Sequence, residues 1–102
     1  MAAYHRRDLV GFVAGYAADA QITRSDGNSL TGHSEIRPAY AELFARSPEL
    51  HVEIGARIEV GELVIDEEFV TGFVRAGSPP RVLAAAVYQV ADQKIQRVQL
   101  FV

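Results

Sequence analysis

Arg57, Asp66 and Glu68 are the residues whose types and spacing point first to chemistry. Gly61-Glu62 is a good two-residue hairpin turn, because a leading glycine suits the mirror-image turn that matches strand twist. With Val60 and Leu63 flanking that turn, Arg57 faces Asp66 across the hairpin, and Glu68 and Glu53 are expected further along the same face. An arginine flanked by carboxylates is a candidate cluster for a hydrolase or dehydratase. The same pairing on a solvated or subunit-facing surface is routine and worth little.

Other reactive types are present but dispersed. His5, His33 and His51 can act as bases, yet they are too scattered to form a metal triad, so no metal is expected. His33 is expected just before a helix and His51 at a strand start. Tyr16, Tyr40 and Tyr88 can point hydroxyls into a pocket or serve as core residues with the hydroxyl at a rim. There is no cysteine among the 102 residues, which excludes a disulfide scaffold, a thiol nucleophile and Cys-ligated metal. No Gly-rich phosphate loop, nucleophile elbow or Walker-type motif occurs, and no cofactor is implied. The net charge of -3 argues against a phosphate-binding surface, so nucleic acid is a poor partner.

These side chains must be positioned by one domain, since the length fits a single core. Leu9, Phe12, Val13 and Tyr16 fall at helical spacing, predicting a helix over Leu9–Ala18 with Asp8 as N-cap. Gly11 and Gly15 weaken it by about 1 kcal/mol each. The basic and apolar character of this stretch imitates a secretory leader, but Asp8, Tyr16 and Asp19 count against that. No apolar run reaches the roughly 20 residues that span a bilayer, so a cytoplasmic protein is expected. Ala20–Arg24 reads as a strand, Ser25-Asp26-Gly27-Asn28 as a turn, and Ser29–Thr31 as a return strand.

A second helix is expected over Ser34–Arg46, with a stripe of Ile36, Tyr40, Leu43 and Phe44, stopped by Ser47-Pro48. An interior proline costs about 3 kcal/mol or more, so Pro38 requires a place in the opening turn. His51–Val60 alternates, with Val52, Ile54, Ala56, Ile58 and Val60 on one face and His51, Glu53, Arg57 and Glu59 on the other. Leu63–Arg75, Arg81–Ala91 and Lys94–Val102 follow as strands, with a loop at 76–80 and a turn at Asp92-Gln93. Helices followed by a long meander give an α+β domain, the helices covering one face of a twisted sheet.

The segments RDLVGFVAGYAADAQI, LTGHSEIRPAYAELF, LHVEIGARIEVGELVIDEEFVTG and VLAAAVYQVADQKIQRV, in this order, resemble the SnoaL-like branch of the NTF2-like superfamily from about Tyr4 onward. The resemblance implies an NTF2-like, cystatin-like cone: a curved antiparallel sheet wrapped around N-terminal helices, enclosing an apolar pocket. It also implies a homodimer packed through the outer sheet face. The chain departs in one respect, since only Met1-Ala2-Ala3 precede the equivalent of Tyr4, which shortens the first helix.

Ketosteroid isomerases of this superfamily need a carboxylate base, a tyrosine and a protonated acid. The resemblance puts the base position on Arg24, the acid position on Ala86 and the tyrosine before Met1, so a working ketosteroid isomerase is not expected. Epoxide opening by an Asp-Arg-Asp relay is the second family chemistry, for which Arg57 and Asp66 are the matching types.

The same resemblance implies a pocket lined by Phe12, Tyr16, Arg24, Tyr40, Phe44, Glu68, Ala86, Tyr88 and Val98. Arg24 is expected inside the cone with Glu68, Glu53 or an anionic ligand as partner, unless it reaches solvent from the strand end. The leading function is a pocket for a small, largely apolar, oxygen-bearing molecule. The alternatives are a non-catalytic dimeric scaffold and a hydrolase or dehydratase using the Arg/carboxylate cluster. The strand Arg81–Ala91 supports dimerisation: Val82, Ala84, Ala86, Tyr88 and Val90 can serve the cone, leaving Leu83, Ala85 and Val87 for a second surface.

Overall fold

A computed structural model describes residues 8–73 and 81–102. Among them are two helices, α1 (Leu9–Ala14) and α2 (His33–Arg46). Six strands complete the fold: β1 (Tyr16–Thr23), β2 (Ser29–Thr31), β3 (His51–Val60), β4 (Leu63–Thr71), β5 (Arg81–Ala91) and β6 (Lys94–Phe101). They form one curved, unclosed sheet in the order β2-β1-β6-β5-β4-β3. The architecture is the expected α+β cone, with one feature that local pattern did not show: β1 runs parallel to β6, while every other pairing is antiparallel. No helix of the described residues is long and apolar enough to cross a membrane. His5, the residues before Asp8 and the 76–80 loop lie outside the described residues.

The first helix is shorter than its periodicity predicts. Asp8 caps it, its side chain accepting from the Gly11 N–H at 3.0 Å. The helix stops at Ala14 rather than Ala18, because two glycines make it weak and β6 offers better partners. The Ile95 N–H donates to the Gly15 carbonyl at 2.9 Å, Lys94 Nζ reaches the Ala14 carbonyl, and Tyr16 already pairs with Ile95 as the first strand residue. Tyr16 is buried, as helical spacing also required, but as part of β1.

Helix α2 begins at His33, after Gly32 at φ 76°, and Glu35 Oε1 accepts from the Thr31 N–H at 2.6 Å to fix the entry. Pro38 is its sixth residue, past the opening turn where it was expected. The Ser34 carbonyl that loses its helical donor there is on an exposed residue, so water can satisfy it. Val13, Tyr16, Ala20, Ile22, Ile36 and Val98 form the core where the helices press on β1 and β6. Phe12, Tyr40 and Leu43 are half-buried around it, and Phe44 is buried.

The regular alternation expected for His51–Val60 is broken. Ile54 pairs with Glu68 and Arg57 with Asp66, so β3 carries one more residue than β4 across this interval. This is a β-bulge at Gly55-Ala56, and it exchanges the faces of everything beyond it. Paired residues share a face. Val52 and Ile54 therefore lie on the concave face together with Arg57 and Glu59. Glu53, paired with Phe69, lies on the convex face with Ile58 and Val60. Glu53 is thus not on the Arg57 side, contrary to the sequence expectation. Gly61, at φ 57°, makes the β3–β4 turn as read, and Asp92 and Gln93 turn β5 into β6.

Candidate functional site

The concave face of β3 to β6 and the underside of α1 border an open cavity of about 350 Å³. Phe12 from α1 and Tyr16 from the start of β1 form one wall. Val64, Tyr88, Val90 and Ile95 form the apolar floor, and Arg57, Glu59 and Asp66 the polar side.

Arg57 and Asp66 meet as the hairpin register requires. Arg57 Nε donates to Asp66 Oδ1 at 2.6 Å and Nη2 donates to Oδ2 at 2.8 Å. The pair is asymmetric: the Asp66 side chain is 2% exposed and that of Arg57 is 51% exposed. The hydrogen bonds and charge of Asp66 push Arg57 above its ordinary value, with the nearby Glu59 adding to this.

Two positions along β4 on the same face, Glu68 is buried and accepts a hydrogen bond from the Tyr88 hydroxyl at 3.2 Å. Burial raises the Glu68 pKa from 4.5; the Tyr88 bond opposes this, the Asp66 charge adds to it and Arg57 opposes it. Tyr88 is driven above its ordinary value of 10.0 by burial first, then by the charge of Glu68 and the bond to it. Behind Phe12 stands an aromatic stack, with ring centroids 4.7 Å to Tyr40, 5.1 Å to Tyr16 and 5.9 Å to Phe44. Burial pushes Tyr40 up to about 12, opposed by the charge of Arg24 and assisted by that of Glu68.

The raised Glu68 pKa has a stability consequence. A carboxyl with a raised folded pKa binds its proton more readily in the native state, so its contribution to stability falls as pH rises through that pKa. Glu68→Gln keeps an acceptor for Tyr88 and removes the desolvated charge. The variant is expected to melt higher than the parent at about pH 8, with the difference shrinking on acidification and vanishing below the ordinary glutamate value of 4.5. Melting curves across this range, followed by circular dichroism, check it. A parent that melts higher at about pH 8 contradicts it.

Of the residues expected in the pocket, Phe12, Tyr16 and Tyr88 line the cavity. Tyr40 and Phe44 back the Phe12 ring, and Glu68 sits beneath the Tyr88 hydroxyl. Ala86 and Val98 are sealed in the sheet core. Arg24 is exposed, which corrects the expectation of a cation inside the cone. Strand β1 ends at Thr23, and Arg24 belongs to the turn, its N–H donating to the Asn28 carbonyl at 2.8 Å. From a strand end its long side chain can keep the charge in water. Among the described residues no ion pair joins it to Glu68 or Glu53.

His33 is part-buried, with Nε2 2.9 Å from the Tyr16 carbonyl, while His51 is exposed beside Glu53. Glu59, Val64, Val90 and Ile95 were not foreseen as cavity residues. Alternation had already put Glu59 on the Arg57 face; Gly55 was the available signal for the displaced Glu53, because a glycine inside a strand often marks a bulge.

The cone with a concave cavity between sheet and helices defines an NTF2-like fold of the ketosteroid isomerase-like type. The SnoaL-like domain family matches residues 1–98, and the chain belongs to it. An uncharacterised cystatin-fold protein from Novosphingobium aromaticivorans is 32% identical, with a TM-score of 0.85 covering 99% of this chain and 90% of that one. A hypothetical protein with a ketosteroid isomerase-like fold from Catenulispora acidiphila, in complex with trimethylamine, is 22% identical, with a TM-score of 0.85 and coverages of 99% and 79%. A candidate polyketide cyclase from Sinorhizobium meliloti is 17% identical, with a TM-score of 0.83 and coverages of 97% and 86%. No curated protein matches the sequence.

Proposed function

We propose that this SnoaL-like domain binds a small, largely apolar, oxygen-bearing molecule in its concave cavity. The observation that carries this reading is the division of the walls. Phe12, Val64, Val90 and Ile95 offer an apolar body, and the Arg57–Asp66 pair offers a polar end. Two N–H groups of Arg57 are given to Asp66, leaving others that can serve a ligand oxygen. The trimethylamine held by one relative of this fold supports a pocket for a small molecule. Ketosteroid isomerase chemistry is not part of the reading: Arg24 cannot act as its base, and the methyl of Ala86 donates nothing.

Titration of the labelled protein with 2-naphthol, an apolar probe carrying one oxygen, tests the reading by NMR. Backbone amide signals of Phe12, Tyr88, Val90 and Ile95 are expected to shift, and those of Ile58 and Leu83 to stay. Shifts confined to the convex face, or none, overturn it.

A homodimer is proposed on a separate observation. Ile58, Val60, Leu63, Leu83 and Phe101 are 40–62% exposed on the convex face, an apolar surface that usually marks an interface. Leu83→Glu should convert a sedimenting dimer to monomer without lowering the helix signal. A parent that sediments as a monomer at micromolar concentration removes the proposal.

A further inference from the structure

We propose that the ligand of this cavity is a cation, a small alkylammonium compound whose charged nitrogen rests against the rings of Phe12, Tyr16 and Tyr88. The inference rests on the cavity being a ligand site and adds the charge of what it takes.

The charges on the concave face set the sign. Arg57 is the cation among the residues that line the cavity, the exposed Arg24 acting on Tyr40 behind the Phe12 ring, and three carboxylates share the surroundings of Arg57: Asp66, Glu59 and Glu68. Asp66 alone occupies Arg57 with two hydrogen bonds. One guanidinium then faces three carboxylates, so the face keeps an excess of negative charge, with Glu59 exposed at the rim and Glu68 buried, where low polarisability strengthens its field. An anionic ligand is repelled, an uncharged one is indifferent, and a cation is drawn in.

Glu68 is the more telling of the two. It is 7% exposed, its Oε2 accepts from Tyr88, and no described group donates to its other oxygen. Burial desolvates this carboxylate and raises its pKa, and the charge of Arg57 offsets that only in part.

The walls decide which cation. By donating to Glu68, the Tyr88 phenol becomes richer in electron density, and its ring face attracts positive charge more strongly. Phe12 and Tyr16, with centroids 5.1 Å apart, supply two more rings in the same wall. Val64, Val90 and Ile95 offer nothing to a hydrated inorganic ion but pack well against methyl groups. Among the described residues no three His, Asp or Glu side chains converge as metal ligands. An ammonium centre dressed with alkyl groups satisfies both the field and the apolar contacts, and a hydroxyl on the same molecule can reach Arg57.

Choline and 3,3-dimethylbutan-1-ol form a decisive pair. They have the same shape and the same hydroxyl, and differ in a charged nitrogen against an uncharged carbon. In NMR titrations of the full chain, choline is expected to bind about tenfold more tightly than the alcohol, within the range that cation–π contacts supply. Shifts should centre on Phe12, Tyr88 and Ile95. Glu68→Gln, expected to fold at least as well as the parent, should bring choline close to the alcohol.

Equal binding of the two, or tighter binding of the alcohol, overturns the cation while leaving the cavity as a ligand site. Binding of 2-naphthol with no response to choline does the same. Silence of the cavity signals to all three probes removes both readings. An undiminished choline preference in Glu68→Gln overturns the part assigned to Glu68.

Discussion

Gly72→Ala is expected to destabilise the fold by about 3 kcal/mol or more and to lower the melting temperature by roughly 12 °C. Two costs coincide at this position. Gly72 has φ 74°, a left-handed conformation that costs an alanine about 1–2 kcal/mol. The added Cβ would also collide with the backbone carbonyl of Glu49 and the amide of Leu50, where the chain passes from α2 into β3. Those atoms are main chain and cannot rotate away as a side chain would. Gly27→Ala is the control, because Gly27 has φ 89° but nothing within 4 Å of its would-be Cβ. It should show the conformational cost alone, about 1–2 kcal/mol. Urea titrations of both variants measure the difference. Equal costs would mean that the contact with Glu49 carries no weight. For a domain whose total stability is on the order of 5–15 kcal/mol, the Gly72 penalty decides whether the end of β4 stays seated beside the start of β3.

The parts of this architecture that the sequence revealed are those reached by counting from a turn through regular pairs. From Gly61-Glu62 the steps Val60–Leu63, Glu59–Val64 and Ile58–Ile65 are unbroken, so Arg57 opposite Asp66 was legible. One step past the bulge the counting fails. Glu53 was expected further along the Arg57 face, yet it lies on the other face, because one extra residue inverts an alternation of period two.

Helix periodicity failed differently. Tyr16 continues the i, i+7 stripe from Leu9 and is buried either way, so apolar spacing could not say that it opens a strand. That decision comes from β6, some eighty residues away, through pairing with Ile95. The same long-range contact makes β1 parallel to β6, which no local pattern reports. Arg24 was placed inside the cone by the family resemblance, but β1 ends one residue earlier and the turn carries it into solvent.

The second large effect is expected at Arg57, and the unequal burial of the pair dictates its form. Arg57→Met leaves Asp66, a carboxylate 2% exposed, without the two donors that compensate it. Removing the partner of a buried charge costs about 3–5 kcal/mol in well-buried pairs. Because Arg57 itself is half-exposed and water can follow where it was, a cost of about 2–3 kcal/mol is expected here. Asp66→Asn presents the opposite case. The guanidinium left behind already reaches solvent, so that variant should lose only about 1 kcal/mol. The double variant Arg57→Met/Asp66→Asn should recover much of what Arg57→Met alone loses, since no buried charge is then stranded. Denaturant titrations of the three variants give the coupling directly. Equal losses from the two single changes would show that the hydrogen bonds, and not the burial of Asp66, set the energy of the pair. The distinction bears on the cavity. If Asp66 depends on Arg57 to remain inside, the pair is a fixed wall that spends the cation of the concave face on one carboxylate. The field of Glu59 and Glu68 is then left to select the ligand.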